Sequence, residues 1–276
     1  MTQSVFKSPE KREKFREYYG NVLGHLPFEQ QYVETAFGRT FMLTAGLEAN
    51  RPVILLHGSC SNSASWFQEM TALSKNYRVY AVDIIGEAGN SEDVRPDLNS
   101  DAFAEWMKDV LDSLSIDHAV FIGNSLGGWM ALKFATVFPQ RVSRLVLIAS
   151  AGIAQIRPQF LSYTAKARRE DGTVPMTPSV LGEQTLPRAV LDFMNLIIES
   201  YNPIEELPIY TDAQILRLDM PVIYIGGEDD MIIDVAESIK RLTSLVKSVE
   251  THVLPDCGHA VFNALPFIIP FLQKES

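Results

Sequence analysis

The sequence predicts an α/β fold in which a mostly parallel sheet is flanked by helices on both faces. Short β-branched and aromatic runs alternate with amphipathic stretches along most of the 276 residues. A Gly-x-Ser-x-Gly pentapeptide stands between one such run and a helical stretch. A chain of this length buries one sizeable core, with room for a small insertion, and need not divide into independent domains.

A helix is predicted in an N-terminal extension, residues 1–25. Ser8 is suited to be its N-cap and precedes a proline, a residue favoured in the first helical turn. Its charged residues alternate in sign, which is typical of a solvated helix face. We expect Phe15, Tyr18 and Val22 to pack this helix onto the rest of the protein.

Residues 26–152 and 219–276 form the predicted core, which contains eight strands and five helices. The strands are expected at 31–36, 40–44, 53–57, 78–83, 119–123, 145–148, 222–225 and 249–254. The helices are expected at 65–74, 101–114, 126–137, 234–243 and 264–273. Gly38 favours a hairpin between the first two strands, and the later alternation of strand and helix favours parallel pairing.

An insertion, residues 153–218, interrupts this alternation. About 65 residues separate two consecutive strands there, which is too many for a simple connection in a compact domain. Helices are predicted at 160–169 and 188–201. We interpret the insertion as a helical cap over the core, with Gly152 and residues 218–221 as its hinges.

The pentapeptide Gly123-Asn124-Ser125-Leu126-Gly127 predicts a nucleophile. An apolar run, residues 119–122, precedes it as a strand should, and a helical stretch follows it. Such a strand-to-helix turn exposes Ser125 in a strained backbone conformation. Glycine is expected at both outer positions because a side chain there would collide with neighbouring backbone.

A serine hydroxyl becomes a good nucleophile only when a nearby base takes its proton. His259 lies in a glycine-containing loop after the last predicted strand and is our candidate base. The acid that orients it should follow another strand, and Asp230 follows residues 222–225. Asp229 remains a rival for that role.

With Ser125, Asp230 and His259 in this order, the chain resembles the α/β-hydrolase family, whose triad runs nucleophile, acid, histidine. The resemblance extends to residues 53–58, which are similar to the third strand of the family and its His-Gly turn. It covers residues 32–272 except for parts of the segment 153–218, and it implies a serine-nucleophile, carboxylesterase-like member with a short cap.

A second loop, residues 83–91, resembles the Asp-x-x-Gly-x-Gly-x-Ser loop of the family. The family spacing places the second glycine at Ala88, but here it falls at Gly89, so we expect a one-residue bulge. Asp83 is expected to form hydrogen bonds within this loop, and His57 to be structural.

The resemblance implies an oxyanion hole made by the backbone N–H groups of Ser59 and Leu126. It also implies hydrolysis of a small to medium, largely apolar carboxylic ester through an acyl-enzyme, without a metal or organic cofactor.

Three other functions stay open, and one of them is another acyl-transfer reaction served by this family. A carbon-carbon bond hydrolase of the same family would need cations for an acidic substrate, and four arginines of the insertion are candidates. These are Arg157, Arg168, Arg169 and Arg188. A ligand-binding or sensor protein could also retain this scaffold, because folds host many functions.

The net charge of -10 and a pI near 5.0 argue against nucleic acid as a partner, since phosphate binding draws on clustered Lys and Arg. No apolar run reaches membrane-spanning length and no secretory signal is evident, so we expect a cytoplasmic protein with a small-molecule ester substrate. Its oligomeric state is left open. Cys60 and Cys257 are expected to be reduced thiols near the site with no catalytic role.

Overall fold

The computed structural model describes residues 4–167, 178–181, 186–204 and 206–274. Eight strands form one sheet: β1 (Glu29–Thr35), β2 (Gly38–Ala45), β3 (Pro52–Leu56), β4 (Arg78–Val82), β5 (Ala119–Asn124), β6 (Val142–Ile148), β7 (Val222–Gly227) and β8 (Val249–Leu254). Their order is β1-β2-β4-β3-β5-β6-β7-β8. The pairs β1–β2 and β2–β4 are antiparallel and all other pairs are parallel. The predicted fold class is confirmed.

The described helices are α1 (Pro9–Gly24), α2 (Phe67–Leu73), α3 (Ala102–Ser113), α4 (Leu126–Val137), α5 (Pro158–Ala167), α6 (Pro178–Leu181), α7 (Arg188–Ser200), α8 (Asp212–Ile215), α9 (Val235–Leu245) and α10 (Leu265–Gln273). The five core helices lie where the sequence predicts them, within a few residues. A 3-10 turn, Ser63–Trp66, replaces the predicted start of α2.

The sheet separates two apolar cores because successive side chains of a strand point to opposite faces. In β3, Ile54 and Leu56 pack in one core with α3 and α4, while Val53 and Leu55 pack in the other with α1, α2 and α10. All four side chains are fully buried. A strand that is apolar at every position is therefore required here, as in other sheets covered on both faces.

Helix α1 packs on the second core through a stripe that differs in part from the predicted one. The buried residues are Phe15, Tyr19 and Leu23. Ser8 caps the helix as predicted and accepts the Lys11 N–H at 3.2 Å. The buried residues are spaced four apart along the helix, whereas the predicted residues were spaced three and then four apart. Tyr18 is consequently exposed in part and stacks on Phe193 of α7 at 5.3 Å.

The chain between β6 and β7 carries four described helices, α5 to α8. Arg168 and Arg169, at the end of the predicted helix 160–169, lie outside the described residues. The short helix α8 was not predicted, although its capping box is visible in the sequence: Thr211 caps it and Gln214 reaches back to the Thr211 N–H at 2.9 Å. Among the described residues, no helix is long and apolar enough to cross a membrane.

Glu69 in α2 predicts a pH-dependent stability. Burial raises the pKa of this carboxyl from 4.5 to about 7, so folding above pH 7 must bury a carboxylate that ionises freely in the unfolded chain. This cost is absent below pH 4.5, grows as the pH rises from 4.5 to 7, and is fully present above pH 7. We therefore compare the unfolding free energy of Glu69→Gln with that of wild type at two pH values. The advantage of the variant should be larger at pH 8 than at pH 5, by on the order of 2 kcal/mol.

Urea unfolding of both proteins at the two pH values measures this gain. Glu105→Gln, at an exposed position of α3, is the control and should leave the pH dependence unchanged. A Glu69→Gln gain that is the same at pH 5 and pH 8 would contradict the assignment.

Candidate active site

Ser125 occupies a strained turn between β5 and α4. Its φ of 51° and ψ of -109° lie outside the regions favoured by residues with a side chain. Two backbone hydrogen bonds hold the turn: the Ser125 N–H donates to Ile148 O at 2.9 Å, and Ala151 N–H donates to Ser125 O at 3.2 Å. The predicted strain is present, and the hydroxyl stands at the carboxyl edge of the sheet.

Gly127 is required by close backbone packing behind this turn. A Cβ there would lie 1.9 Å from the carbonyl oxygen of Leu56, and one at Gly123 would lie 2.3 Å from the Gly127 oxygen. Both atoms belong to the backbone and cannot rotate away. Glycine at these two positions therefore allows α4 to start directly against β3.

We expect Gly127→Ala to lower the free energy of unfolding by at least about 3 kcal/mol, because the sheet must shift to admit the methyl group. Gly20→Ala is the matched control, since Gly20 is an exposed position of α1 with open space around it. That control should instead gain about 0.5–1 kcal/mol from higher helix propensity. Urea unfolding compares the two variants. Similar stability changes in both would contradict a clash between the alanine methyl group and the Leu56 carbonyl oxygen.

His259 and Asp230 complete a hydrogen-bonded relay to the serine. Nε2 of His259 lies 2.9 Å from Ser125 Oγ, and Nδ1 lies 2.8 Å from Asp230 Oδ2. The Asp230 carboxylate only accepts hydrogen bonds when ionised, so Nδ1 carries the proton and Nε2 presents its lone pair to the serine. The structure brings together all three side chains that the sequence singled out.

The geometry distinguishes Asp230 from its acidic neighbours. Asp230 is 2% exposed, and its Oδ1 accepts the N–H groups of Ile232 at 2.7 Å and Ile233 at 2.9 Å. Asp229 is exposed to solvent. Asp234 accepts the Glu237 N–H at 3.0 Å and is the N-cap of α9. Two backbone donors thus fix the Asp230 carboxylate in the plane that faces His259.

The two expected oxyanion donors belong to the turn after β3 and to the first residue of α4. Ser59 follows the turn after β3, and Leu126 is the first residue of α4, where backbone N–H groups have no helical partner. Neither N–H donates a hydrogen bond to any of the described residues. Both N–H groups therefore have a free hydrogen-bonding position with respect to the described residues.

His57 has a structural role, as predicted. Its Nε2 accepts the Ile84 N–H at 3.1 Å, so Nδ1 carries the proton and donates to Gly58 O at 2.9 Å. Burial lowers the pKa of His57 and keeps the ring neutral, although nearby Asp83 opposes the effect. The ring ties the end of β3 to the loop after β4.

Asp83 organises the loop between β4 and α3. Its carboxylate accepts the Ser63 N–H at 2.8 Å, the Tyr19 hydroxyl at 3.0 Å and the Asn90 N–H at 2.8 Å. The bond to Asn90 confirms the predicted contact within the loop, and the other two reach outside it. A Cβ at Gly89 would lie 2.6 Å from Asp83 Oδ2, so the close approach falls on Gly89 and not on Ala88.

A buried polar group that the sequence did not indicate lies beside Ser59. Tyr201, at the end of α7, has its hydroxyl 2.9 Å from Ser59 Oγ and 3.1 Å from Glu87 Oε2. Glu87 is itself buried next to Arg95. No local pattern links these positions, because 141 residues separate Tyr201 from the Cys60 N–H that it accepts.

The two cysteines lie close to the site, as predicted. The Cys60 thiol is 3.7 Å from the Tyr201 hydroxyl, and burial raises the pKa of this thiol. Cys257 precedes His259 by two residues and is buried. Over the residues that the structure describes, no group of three or more His, Cys, Asp or Glu side chains is arranged to hold a metal ion.

The sheet thus gathers a serine, a histidine and an aspartate at the carboxyl ends of its parallel strands, which is where α/β hydrolases keep their catalytic groups. A family model described as alpha/beta hydrolase fold matches residues 51–202. The chain belongs to the α/β-hydrolase family, and its similarity to a carboxylesterase of Bacillus subtilis places it among the carboxylesterase-like hydrolases.

Individual relatives are similar over most of their length. Carboxylesterase YbfK of Bacillus subtilis is 30% identical, with 92% of this chain and 90% of that protein covered. A crystal structure of that carboxylesterase, CesB (YbfK), superposes with a TM-score of 0.84 at 28% identity and covers 97% of this chain and 100% of its own. A 2-hydroxy-6-oxo-2,4-heptadienoate hydrolase of Pseudomonas putida is 26% identical over 83% of this chain and 92% of that enzyme.

Proposed function

We propose that the chain is a serine hydrolase that cleaves small to medium, largely apolar carboxylic esters through an acyl-enzyme. The observation that carries this proposal is the relay of Ser125, His259 and Asp230, with hydrogen-bond distances of 2.9 and 2.8 Å. The similarity to carboxylesterase YbfK supports the choice of substrate class.

In the first half-reaction, Ser125 Oγ attacks the ester carbonyl carbon while His259 Nε2 takes the hydroxyl proton. The carbonyl oxygen becomes an oxyanion and accepts hydrogen bonds from the N–H groups of Ser59 and Leu126. His259 then returns the proton to the leaving alkoxide as the bond from carbon to oxygen breaks. Water, activated by the same ring, hydrolyses the acyl-enzyme in the second half-reaction.

An apolar substrate is supported by two exposed apolar residues that are close to the acid and the base along the chain. Met231 follows Asp230 and Phe262 lies three residues after His259, and each large apolar side chain is 38% exposed. Exposed apolar groups at a polar catalytic centre are typical of ligand sites.

We also propose that residues 153–218 act as a cap over this centre. The Ala260 N–H, next to His259, donates to Val180 O of α6 at 3.0 Å. Ile156 forms an antiparallel bridge with Ile233, close to Asp230. Two contacts thus connect the insertion to the loops that carry the base and the acid.

The described arginines favour an ester over a carbon-carbon bond substrate. Arg157 donates to Ile233 O at 3.2 Å and lies 3.8 Å from Asp234. The Arg188 side chain is 88% exposed and pairs with Asp192 at 2.9 Å. Both cations are paired with aspartates, whereas an acidic dienol substrate would need a cation free to bind its carboxylate.

Intact-mass analysis with a serine-directed fluorophosphonate tests the proposed chemistry, together with hydrolysis of two substrates. One is a short-chain nitrophenyl ester and the other a 2-hydroxy-6-oxo-2,4-dienoate. We expect a single adduct and kcat/KM for the ester at least 100-fold above that for the dienoate. The reverse preference would establish the carbon-carbon bond hydrolase, and tight binding of both without turnover would favour a sensor. Cytoplasmic residence and the absence of a nucleic-acid partner remain predictions from the sequence.

A further inference from the structure

Tyr201 is fully buried, and its hydroxyl lies at the turn that carries the proposed oxyanion donor. The hydroxyl accepts the Cys60 N–H at 2.9 Å, lies 2.9 Å from Ser59 Oγ and lies 3.1 Å from Glu87 Oε2. A tyrosine hydroxyl has one proton to donate and accepts through its oxygen. With Glu87 ionised, the proton goes to the carboxylate, and the oxygen receives the Cys60 N–H and the Ser59 O–H.

The turn at Ser59 and Cys60 needs such an anchor. Cys60 has a φ of 58°, in the left-handed region that is costly for a residue with a side chain. Its N–H belongs to the peptide plane directly after Ser59, so the bond to Tyr201 fixes the direction of that plane. Rotation of this turn would also reorient the preceding peptide plane, which carries the Ser59 N–H, and oxyanion donors act only when they are preorganised.

Glu87 and Arg95 hold the tyrosine from the loop after β4. Oε1 of Glu87 lies 3.6 Å from Arg95 Nη2, and Arg95 also donates to the carbonyl of Asn202, the residue after Tyr201. Burial raises the pKa of Glu87 to about 7, while Arg95 and Tyr201 oppose the rise. Above pH 7 the carboxylate is therefore ionised and accepts the tyrosine proton.

The N-terminal segment holds Tyr201 from the other side. Phe6 forms an antiparallel bridge with Tyr201, and Val5 and Phe6 are buried. Two backbone hydrogen bonds flank the bridge: the Lys7 N–H donates to Ser200 O at 2.9 Å and the Asn202 N–H donates to Val5 O at 2.8 Å. The end of α7 is thus fastened on both sides of the tyrosine.

We propose that Tyr201 is a positioning residue for the oxyanion turn and that Glu87 holds its hydroxyl in the productive orientation. Tyr201 contacts no reacting atom and acts through Ser59 and Cys60. The inference rests on the proposed function, because it concerns the same site. It assigns a catalytic consequence to a contact between the insertion and the core.

Kinetics of Tyr201→Phe at pH 8 test this role. We expect kcat for the nitrophenyl ester to fall about 10- to 100-fold, with KM within threefold, because the donor is needed only in the transition state. A trifluoromethyl ketone adds Ser125 Oγ to its carbonyl carbon, with the serine proton passing to His259, and forms the same oxyanion. Its inhibition constant should rise by the factor lost in kcat/KM.

Tyr210→Phe is the matched control. Tyr210 is also buried in the insertion, and its hydroxyl donates to Trp129 O at 2.8 Å, away from the oxyanion turn. This variant loses a comparable hydrogen bond but should keep kcat and the inhibition constant within twofold. A second pair of variants separates packing from hydrogen bonding. Glu87→Leu should lower kcat as much as Tyr201→Phe does. Glu87→Gln keeps a hydrogen-bond acceptor, so its kcat should be about tenfold higher than that of Glu87→Leu.

Equal losses in the two tyrosine variants, or unchanged ketone inhibition in Tyr201→Phe, would overturn the positioning role. If the wild-type protein turns over the ester and Tyr201→Phe does so equally well, only this inference fails. If wild type neither hydrolyses the ester nor binds the ketone, the proposed function fails and the inference fails with it.

Discussion

Ser125→Ala is expected to lower kcat for ester hydrolysis by about 10⁴- to 10⁶-fold, with KM within threefold of wild type. The alanine variant retains the shape of the turn but has no oxygen to attack the carbonyl carbon. The residual rate would come from water and the remaining oxyanion donors. Steady-state hydrolysis of a nitrophenyl ester measures the loss, and intact mass should show no fluorophosphonate adduct.

Ser113→Ala is the control for this prediction. Ser113 is exposed at the end of α3, donates to Glu34 O at 3.0 Å and takes no part in the relay. It should keep the adduct and full activity. A Ser125→Ala protein that remains folded and hydrolyses the ester within tenfold of wild type would rule out Ser125 as the nucleophile.

Asp230→Asn is expected to lower kcat by about 10⁴-fold without unfolding the protein. Oδ1 of Asp230 accepts two backbone N–H groups, from Ile232 and Ile233. An asparagine must keep its carbonyl oxygen there, so its NH₂ group faces His259. The ring must then accept at Nδ1 and carry its proton on Nε2, where it can no longer take the proton of Ser125.

Asp229→Asn is the matched control, because it removes the same charge one residue away. Asp229 is exposed and should lose less than twofold in kcat. The pair also decides between the two acids that the sequence leaves open. Loss of activity in Asp229→Asn with little change in Asp230→Asn would reverse the assignment.

Much of the fold could be predicted because the signals are local. Three features each depend on neighbours a few residues away: the turn at Ser125, the apolar runs of the sheet and the N-cap at Ser8. The stripe of α1 was predicted only in part, because Tyr18 and Tyr19 are equally apolar in the sequence. The choice between them depends on Asp83, whose carboxylate draws the Tyr19 hydroxyl into the core at 3.0 Å.

The sequence by itself determined the fold class and the three side chains of the relay, because strand periodicity and the glycine-bounded serine are written in consecutive residues. Only the tertiary structure decided what surrounds them. It turned the Asp230 carboxylate toward His259 at 2.8 Å, and it brought Tyr201 to the Cys60 N–H across 141 residues. Such contacts arise when the sheet and its insertion pack, so no spacing along the chain encodes them.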